Sequence, residues 1–282
     1  IGAAWVYAAS NRQINRRYHP GASWISIARD SETVERGRHL ALAVVKCVEC
    51  HGEDLSGTAF FDDPAFARVH APNITAGRGG SGGVYTDADL IRVIQHGVKR
   101  DGRAVMIMPA DAYTHLSDGD LAAIIAYVRS VPPVDKEWPA PRYGPVGRAL
   151  IAAGKLPVFA AANIDHERRD VRPRPDPDTT ADYGRYLTLI GGCQTCHNPA
   201  MSGGERAGSE PGSPLAANLT PTGIGHYTEA DFVRVLREGK GPGDRVISDF
   251  MPWKSSGRMT DDEIHAIWLF LKTLEPKEMG QR

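Results

Sequence analysis

Apolar positions along the chain recur at helical spacing, and strand-like alternation is scarce. Leu90, Ile91, Val93 and Ile94 form one apolar face behind Thr86. Phe232, Val233, Val235 and Leu236 repeat it behind Thr228. Each Thr stands where an N-cap belongs, with Asp89 or Asp231 three residues on, a variant of the capping box. A later helix is predicted from Ser117 with Asp120, carrying Leu121, Ile124, Ile125 and Val128. Its counterpart starts at Thr260 with Glu263 and carries Ile264, Ile267, Trp268 and Leu271. The stretches before the Thr-capped helices are rich in Gly, Pro and Asn and read as loops. The pattern predicts an all-α protein.

These pairs belong to an internal repeat of roughly 145 residues. The first copy reads Gly37-Arg-His-Leu, a Cys47 motif, Pro72-Asn-Ile-Thr, Tyr85-Thr-Asp-Ala-Asp-Leu, Met108-Pro109 and Ser117-Asp-Gly-Asp-Leu. The second reads Gly184-Arg-Tyr-Leu, a Cys193 motif, Ala217-Asn-Leu-Thr, Tyr227-Thr-Glu-Ala-Asp-Phe, Met251-Pro252 and Thr260-Asp-Asp-Glu-Ile. Between the copies, Pro132 to Asp178 holds nine of the 20 prolines. Its run from Arg172 to Asp178 is expected to be extended and solvated. Val146 to Ala153 is expected to form a short helix. The chain therefore divides into an N-terminal segment (1–30), a first repeat (31–133), a Pro-rich linker (134–179) and a second repeat (180–282).

Residues Ile1 to Ser10 carry no charge and are followed by Arg12, Arg16 and Arg17. Ten residues are too few to span a bilayer, which needs about 20. They read as the remnant of an N-terminal membrane anchor, with Trp5 and Tyr7 near the interface. The competing reading is the end of a cleaved leader. A net charge of −1 argues against nucleic acid as a partner.

All four cysteines fall in two motifs, Cys47-Val-Glu-Cys50-His51 and Cys193-Gln-Thr-Cys196-His197. Both match the c-type heme attachment signature. Two cysteines three apart on a helical turn can reach the two vinyl groups of one porphyrin edge, and the adjacent His can ligate iron. The competing reading, structural zinc, needs further Cys or His ligands. No other Cys exists, and the remaining His are scattered. The expected cofactors are two covalent hemes c with their iron.

A low-spin heme needs a second axial ligand, and a thioether favours ferrous iron. Of six methionines, only Met108 and Met251 occupy equivalent repeat positions, and each precedes a Pro that suits a stiff ligand loop. The rivals are Met106 in the first copy and Met259 in the second. The metal ligands are thus expected to be His51 with Met108, and His197 with Met251.

Each repeat resembles a class I cytochrome c domain, over roughly residues 31–133 and 180–275. The tandem resembles the multiheme cytochrome c subunits of membrane-bound bacterial alcohol, gluconate and related dehydrogenases, which often have three heme domains where this chain has two. The resemblance implies that the Pro72 carbonyl accepts the imidazole N–H of His51. Ala217 holds the equivalent place with a less rigid backbone. It also implies a close crossing of first and last helices, Gly37 against Tyr127 and Gly184 against Phe270. Location follows too: the periplasmic side of the cytoplasmic membrane, N-terminally anchored. The implied function is electron transfer to or from redox partner proteins in a membrane-associated respiratory or dehydrogenase complex, without catalysis of its own. The alternative is a diheme redox enzyme, of peroxidase or thiosulfate-oxidising type, with one open heme.

Overall fold

The computed structural model describes residues 2–21, 24–167, 172–177, 179–206, 209 and 212–282. Ile1 and Asp178, which bounded two of the expected segments, lie outside them. The described chain is mostly helical. After α1 (Gly2–Ile14) come α2 (Ser31–His39), α3 (Val48–His51), α4 (Asp87–His96), α5 (Ala110–Tyr113) and α6 (Asp118–Ser130). Then follow α7 (Pro145–Ala152), α8 (Ala181–Ile190), α9 (Cys193–His197), α10 (Pro221–Ile224), α11 (Glu229–Glu238), α12 (Trp253–Ser256) and α13 (Asp261–Lys272).

The capping residues act as their sequence positions suggest. Thr86 and Thr228 accept from the amides of Asp89 and Asp231, whose carboxylates accept the Thr amides in return. Thr260 and Glu263 close the same box on α13. On α6 only half of it forms: Ser117 accepts from the Asp120 amide, while the Asp120 carboxylate turns to other partners. Gly97 and Gly239 end α4 and α11 in the left-handed conformation that glycine adopts at little cost.

The first and last helices of each repeat cross in contact, α2 on α6 and α8 on α13. Gly37 lies directly on the Ala123 carbonyl, and a Cβ there would come within 2.9 Å of the Tyr127 Cβ. Gly184 lies on the Ala266 carbonyl, with the Ile267 amide next at 2.8 Å from a Cβ built there. The aromatic is therefore a close neighbour of Gly37. For Gly184 the three nearest atoms are all backbone of Ala266 and Ile267, one helical turn before Phe270. What the crossing excludes at both glycines is a side chain against an alanine carbonyl.

Gly37 stands ten residues before Cys47, but Gly184 stands nine before Cys193. The extra residue is absorbed by a π-helical turn at Leu40–Val44, closed by the Val45 amide on the Leu40 carbonyl at 2.9 Å. Both approaches to the Cys motif then pass through a left-handed residue: Lys46 at φ 55 in one, Gly192 at φ 68 in the other.

The copies share one core. Leu40, Val44, Leu121, Ile125, Leu187, Ile190, Ile264 and Leu271 belong to a single buried apolar cluster. Above it the copies exchange polar partners about a pseudo-two-fold relation. His39 Nε2 lies 2.7 Å from the Glu263 carboxylate, and Tyr186, two residues after Gly184 as His39 is after Gly37, donates its hydroxyl to Asp120 at 2.7 Å. Each copy thus supplies a partner to the acidic third residue of the other's last helix. Arg36 bridges both acids, donating to Asp120 at 3.1 Å and Glu263 at 3.3 Å. Asp120 and Glu263 are 1% and 4% exposed, so the charges must be matched where they sit. Glu263 is held below the usual carboxylate range: burial pushes it up, but the His39 bond and the nearby Arg36 more than offset this.

The all-α expectation missed a small antiparallel sheet, ordered β1 (Ala59–Asp63), β2 (Ala67–His70), β3 (Arg142–Tyr143). Its short strands lie in a stretch whose Gly and Pro content reads as loop. β3 leads into the linker helix α7, and α1 packs on α7 through Arg148, which donates to Ser10 and Asn11 and covers the Tyr7 ring. Among the described residues, no helix is long and apolar enough to cross a membrane.

Candidate functional site: two Cys-x-x-Cys-His turns

In each motif the Cys pair and the His lie on one short helical segment. Cys47 caps α3, which runs to His51; α9 runs from Cys193 to His197. No disulfide joins the cysteines, and each is partly buried. Burial pushes the Cys47 thiol up to about 12 and raises those of Cys50 and Cys193. Among the described residues no cluster of three or more His, Cys, Asp or Glu side chains could hold a metal ion. Among the described residues the zinc reading therefore finds no ligand set.

The imidazoles are oriented alike. His51 Nδ1 lies 2.9 Å from the Pro72 carbonyl, and His197 Nδ1 lies 2.8 Å from the Ala217 carbonyl. A carbonyl only accepts, so Nδ1 carries the proton and Nε2 keeps its lone pair. Among the described residues Nε2 has no hydrogen-bond partner in either ring. Burial lowers the pKa of both, partly offset by the carbonyl, so the neutral, ligating form is favoured.

The Ala217 carbonyl is as well placed as that of Pro72, and the reason lies one residue on. Asn73 and Asn218 are 0% and 5% exposed. Each accepts from the amide two residues later, Thr75 or Thr220, at 2.9 Å. Each also donates to a carbonyl beyond the last helix, Val134 or Lys277, at 2.7 Å. These Asx turns fix the carbonyl from outside the ring of Pro72, so Ala suffices at 217. Repetition of Asn-x-Thr in both copies is the sequence signal that could have found them.

Met108 and Met251 share one local geometry. In each, the residue after the following Pro donates its amide to the Met carbonyl, Ala110 at 2.8 Å and Trp253 at 2.7 Å. The intervening Pro109 (φ −80, ψ 60) and Pro252 (φ −76, ψ 55) form inverse γ-turns. Both Met side chains are half-buried against the core cluster. The rival Met259 is 3% exposed within the core and behaves as a packing residue. Met106 lies at half-buried backbone before Ile107, whose φ is 73.

Residues 32–128 match the family described as cytochrome c oxidase, cbb3-type, subunit III. The chain is 27% identical over 286 residues to the alcohol dehydrogenase (quinone) cytochrome c subunit of Gluconacetobacter polyoxogenes, covering 89% of this chain and 58% of that protein. It is 29% identical over 284 residues to the fructose dehydrogenase cytochrome subunit of Gluconobacter japonicus, covering 88% and 54%. It is 24% identical over 249 residues to a diheme cytochrome c-type protein of Cereibacter sphaeroides, covering 80% and 81%. The chain thus spans little more than half the length of the first two relatives. On its attachment motifs and these matches, the chain is similar to c-type cytochromes, the cytochrome c subunits of dehydrogenases among them.

Proposed function

We propose that this chain carries two covalent hemes c, in tandem class I cytochrome c domains at 31–133 and 180–282 joined by the 134–179 linker. It passes single electrons as the cytochrome subunit of a membrane-associated dehydrogenase or respiratory complex. Cys47 and Cys50 hold one group and Cys193 and Cys196 the other. His51 with Met108, and His197 with Met251, would ligate the two irons. The observation that carries this reading is the duplicated imidazole geometry, with Nδ1–H on a backbone carbonyl and Nε2 left for a metal. A bound heme supplies an iron that changes valence by one electron.

The chain's own residues keep that change small in structural cost. The Pro72 and Ala217 carbonyls fix each ring's tautomer and raise its donor strength. The γ-turns at Pro109 and Pro252 stiffen the loops that present sulfur, a soft neutral donor that raises the potential. With each iron held by a His and a Met of this chain, neither would be left open to a substrate, which is why transfer and not catalysis is the reading. The relatives' names supply the class of partner, a dehydrogenase. Periplasmic location follows from covalent heme attachment as the resemblance implies it, and the apolar start of α1 supports an N-terminal tether.

The test is the spectrum of the purified protein. Methionine–sulfur ligation in the ferric state at both hemes, with no rapid cyanide binding, is the expected result. A high-spin heme that takes cyanide readily would overturn the assignment of that axial Met.

A further inference from the structure

The carbonyl two residues before each first Cys is satisfied differently in the two copies. In the first copy, the Tyr113 hydroxyl donates to the Val45 carbonyl at 2.8 Å, from the α5 helix directly after Met108. The residue five after Met251, as Tyr113 is five after Met108, is Ser256. Its hydroxymethyl is far shorter than a tyrosine side chain. The corresponding carbonyl, Gly191, instead receives the Lys46 amine at 2.8 Å, from the other copy. Lys46 also donates to the Val44 carbonyl at 2.6 Å, so its ammonium is held at both ends.

The backbone of Lys46 strengthens the point. It occupies the left-handed region at φ 55, where the second copy uses Gly192. A non-glycine residue there carries conformational strain. Glycine would remove that strain and also remove the amine. Gly191 is pressed close as well, since a Cβ on it would lie 3.3 Å from the Val44 carbonyl and 3.5 Å from the Lys46 amine. The segments entering the two attachment turns therefore touch through this lysine.

We infer that Lys46 is a positioning residue for the second attachment site: it supplies across the repeat boundary the donor that Tyr113 supplies within the first copy. Its amine fixes the Gly191–Gly192 turn, and with it the start of α9 at Cys193. This inference rests on heme occupancy of both motifs, so occupancy is measured first, by mass, in every variant.

Lys46→Gly and Lys46→Met both remove the donor. Lys46→Gly also relieves the backbone strain, so it serves where the Met variant fails to fold. The potentials of the two hemes are assigned beforehand with Met108→His and Met251→His. In either Lys46 variant, the second heme's potential should shift and its methionine–sulfur band weaken, with the first heme, whose Tyr113–Val45 bond is kept, moving less. Tyr113→Phe should do the converse. Lys46→Arg, which keeps a donor, should restore part of the second band. If both hemes are present and the second site's potential and band do not move in Lys46→Gly, or if the first site moves instead, the inference is wrong. A wild-type chain with fewer than two hemes would instead refute the proposed function.

Discussion

The two copies of the repeat solve the same local problems with different residues, and the differences separate what the site requires from how it is met. The imidazole carbonyl comes from Pro72 in one and Ala217 in the other, yet both lie within hydrogen-bond reach because a buried Asn holds each loop. The turn before the first Cys needs a left-handed residue, and Lys46 and Gly192 both provide it. The interface they share is only partly symmetric. On one flank Arg258 pairs with Glu53 at 2.6 Å, and Ser255 meets Glu49. On the pseudo-equivalent flank, Thr195 and Pro199 face Ala112 and His115 around a cavity of about 430 Å³ that the linker residues Asn163 and Asp165 also line. A positively charged residue at 258 closes one side; the linker closes the other.

The largest test of this comparison removes one attachment turn. Cys193→Ala with Cys196→Ala should yield a chain with one heme addition and intact first-copy absorption. Loss of both hemes would show that the copies do not load independently.

Next comes the shared buried acid. Asp120→Ala strips partners from Arg36 and Tyr186 at once. Breaking a buried ion pair costs about 3–5 kcal/mol, and Arg36 keeps Glu263, so the loss should fall at or below that range and is read as a lower denaturation midpoint. A change no larger than a surface substitution would break the account of a pseudo-two-fold polar clasp.

A third test uses pH and concerns a feature of the first copy alone. His96 is 4% exposed, and its Nδ1 lies 3.2 Å from His166 Nδ1. Burial first, then His166, Arg172 and Arg92, lower its pKa from 6.5 to about 4. The folded chain therefore binds this proton more weakly than the unfolded chain does. Stability is full above about 6.5 and declines as pH falls towards 4, where the folded ring protonates in turn. At 1.36 kcal/mol per pH unit, the loss is roughly 3 kcal/mol. Chemical denaturation of wild type and His96→Gln between pH 7 and 4 reads it, and the slope should flatten in the variant.

Smaller effects are expected at the crossings. Gly184→Ala drives a methyl into the Ala266 carbonyl, costing about 1–3 kcal/mol. Gly37→Ala should behave alike, because both glycines meet an alanine carbonyl. Unequal costs would point to the neighbours beyond that carbonyl, such as the Tyr127 Cβ beside Gly37. The smallest effect belongs to the exposed pair: Glu53→Gln should cost ~0–1 kcal/mol and lose even that at high salt.

Much of this organisation is legible in the chain because it is local. The Cys-x-x-Cys-His steps, the Thr and Ser caps and the Met-Pro turns each lie within a few residues, and repetition separates them from coincidence. The π-turn was countable too, as one extra residue between Gly37 and Cys47. The contacts between copies left no such trace. Arg36 with Glu263 and Lys46 with Gly191 join residues far apart in the chain, and the donors Arg36 and Lys46 stand where the other copy has Tyr183 and Gly192. Burial chose those partners, and burial is not written in spacing. The small sheet escaped for a different reason, since strands of two to five residues do not establish a period.

The central claim is that each Cys pair is consumed by one covalent heme. Mass spectrometry of the denatured wild-type chain tests it most directly. The account predicts the polypeptide mass plus two hemes, with no thiol open to alkylation. A single heme addition, or none with reactive cysteines, would contradict it.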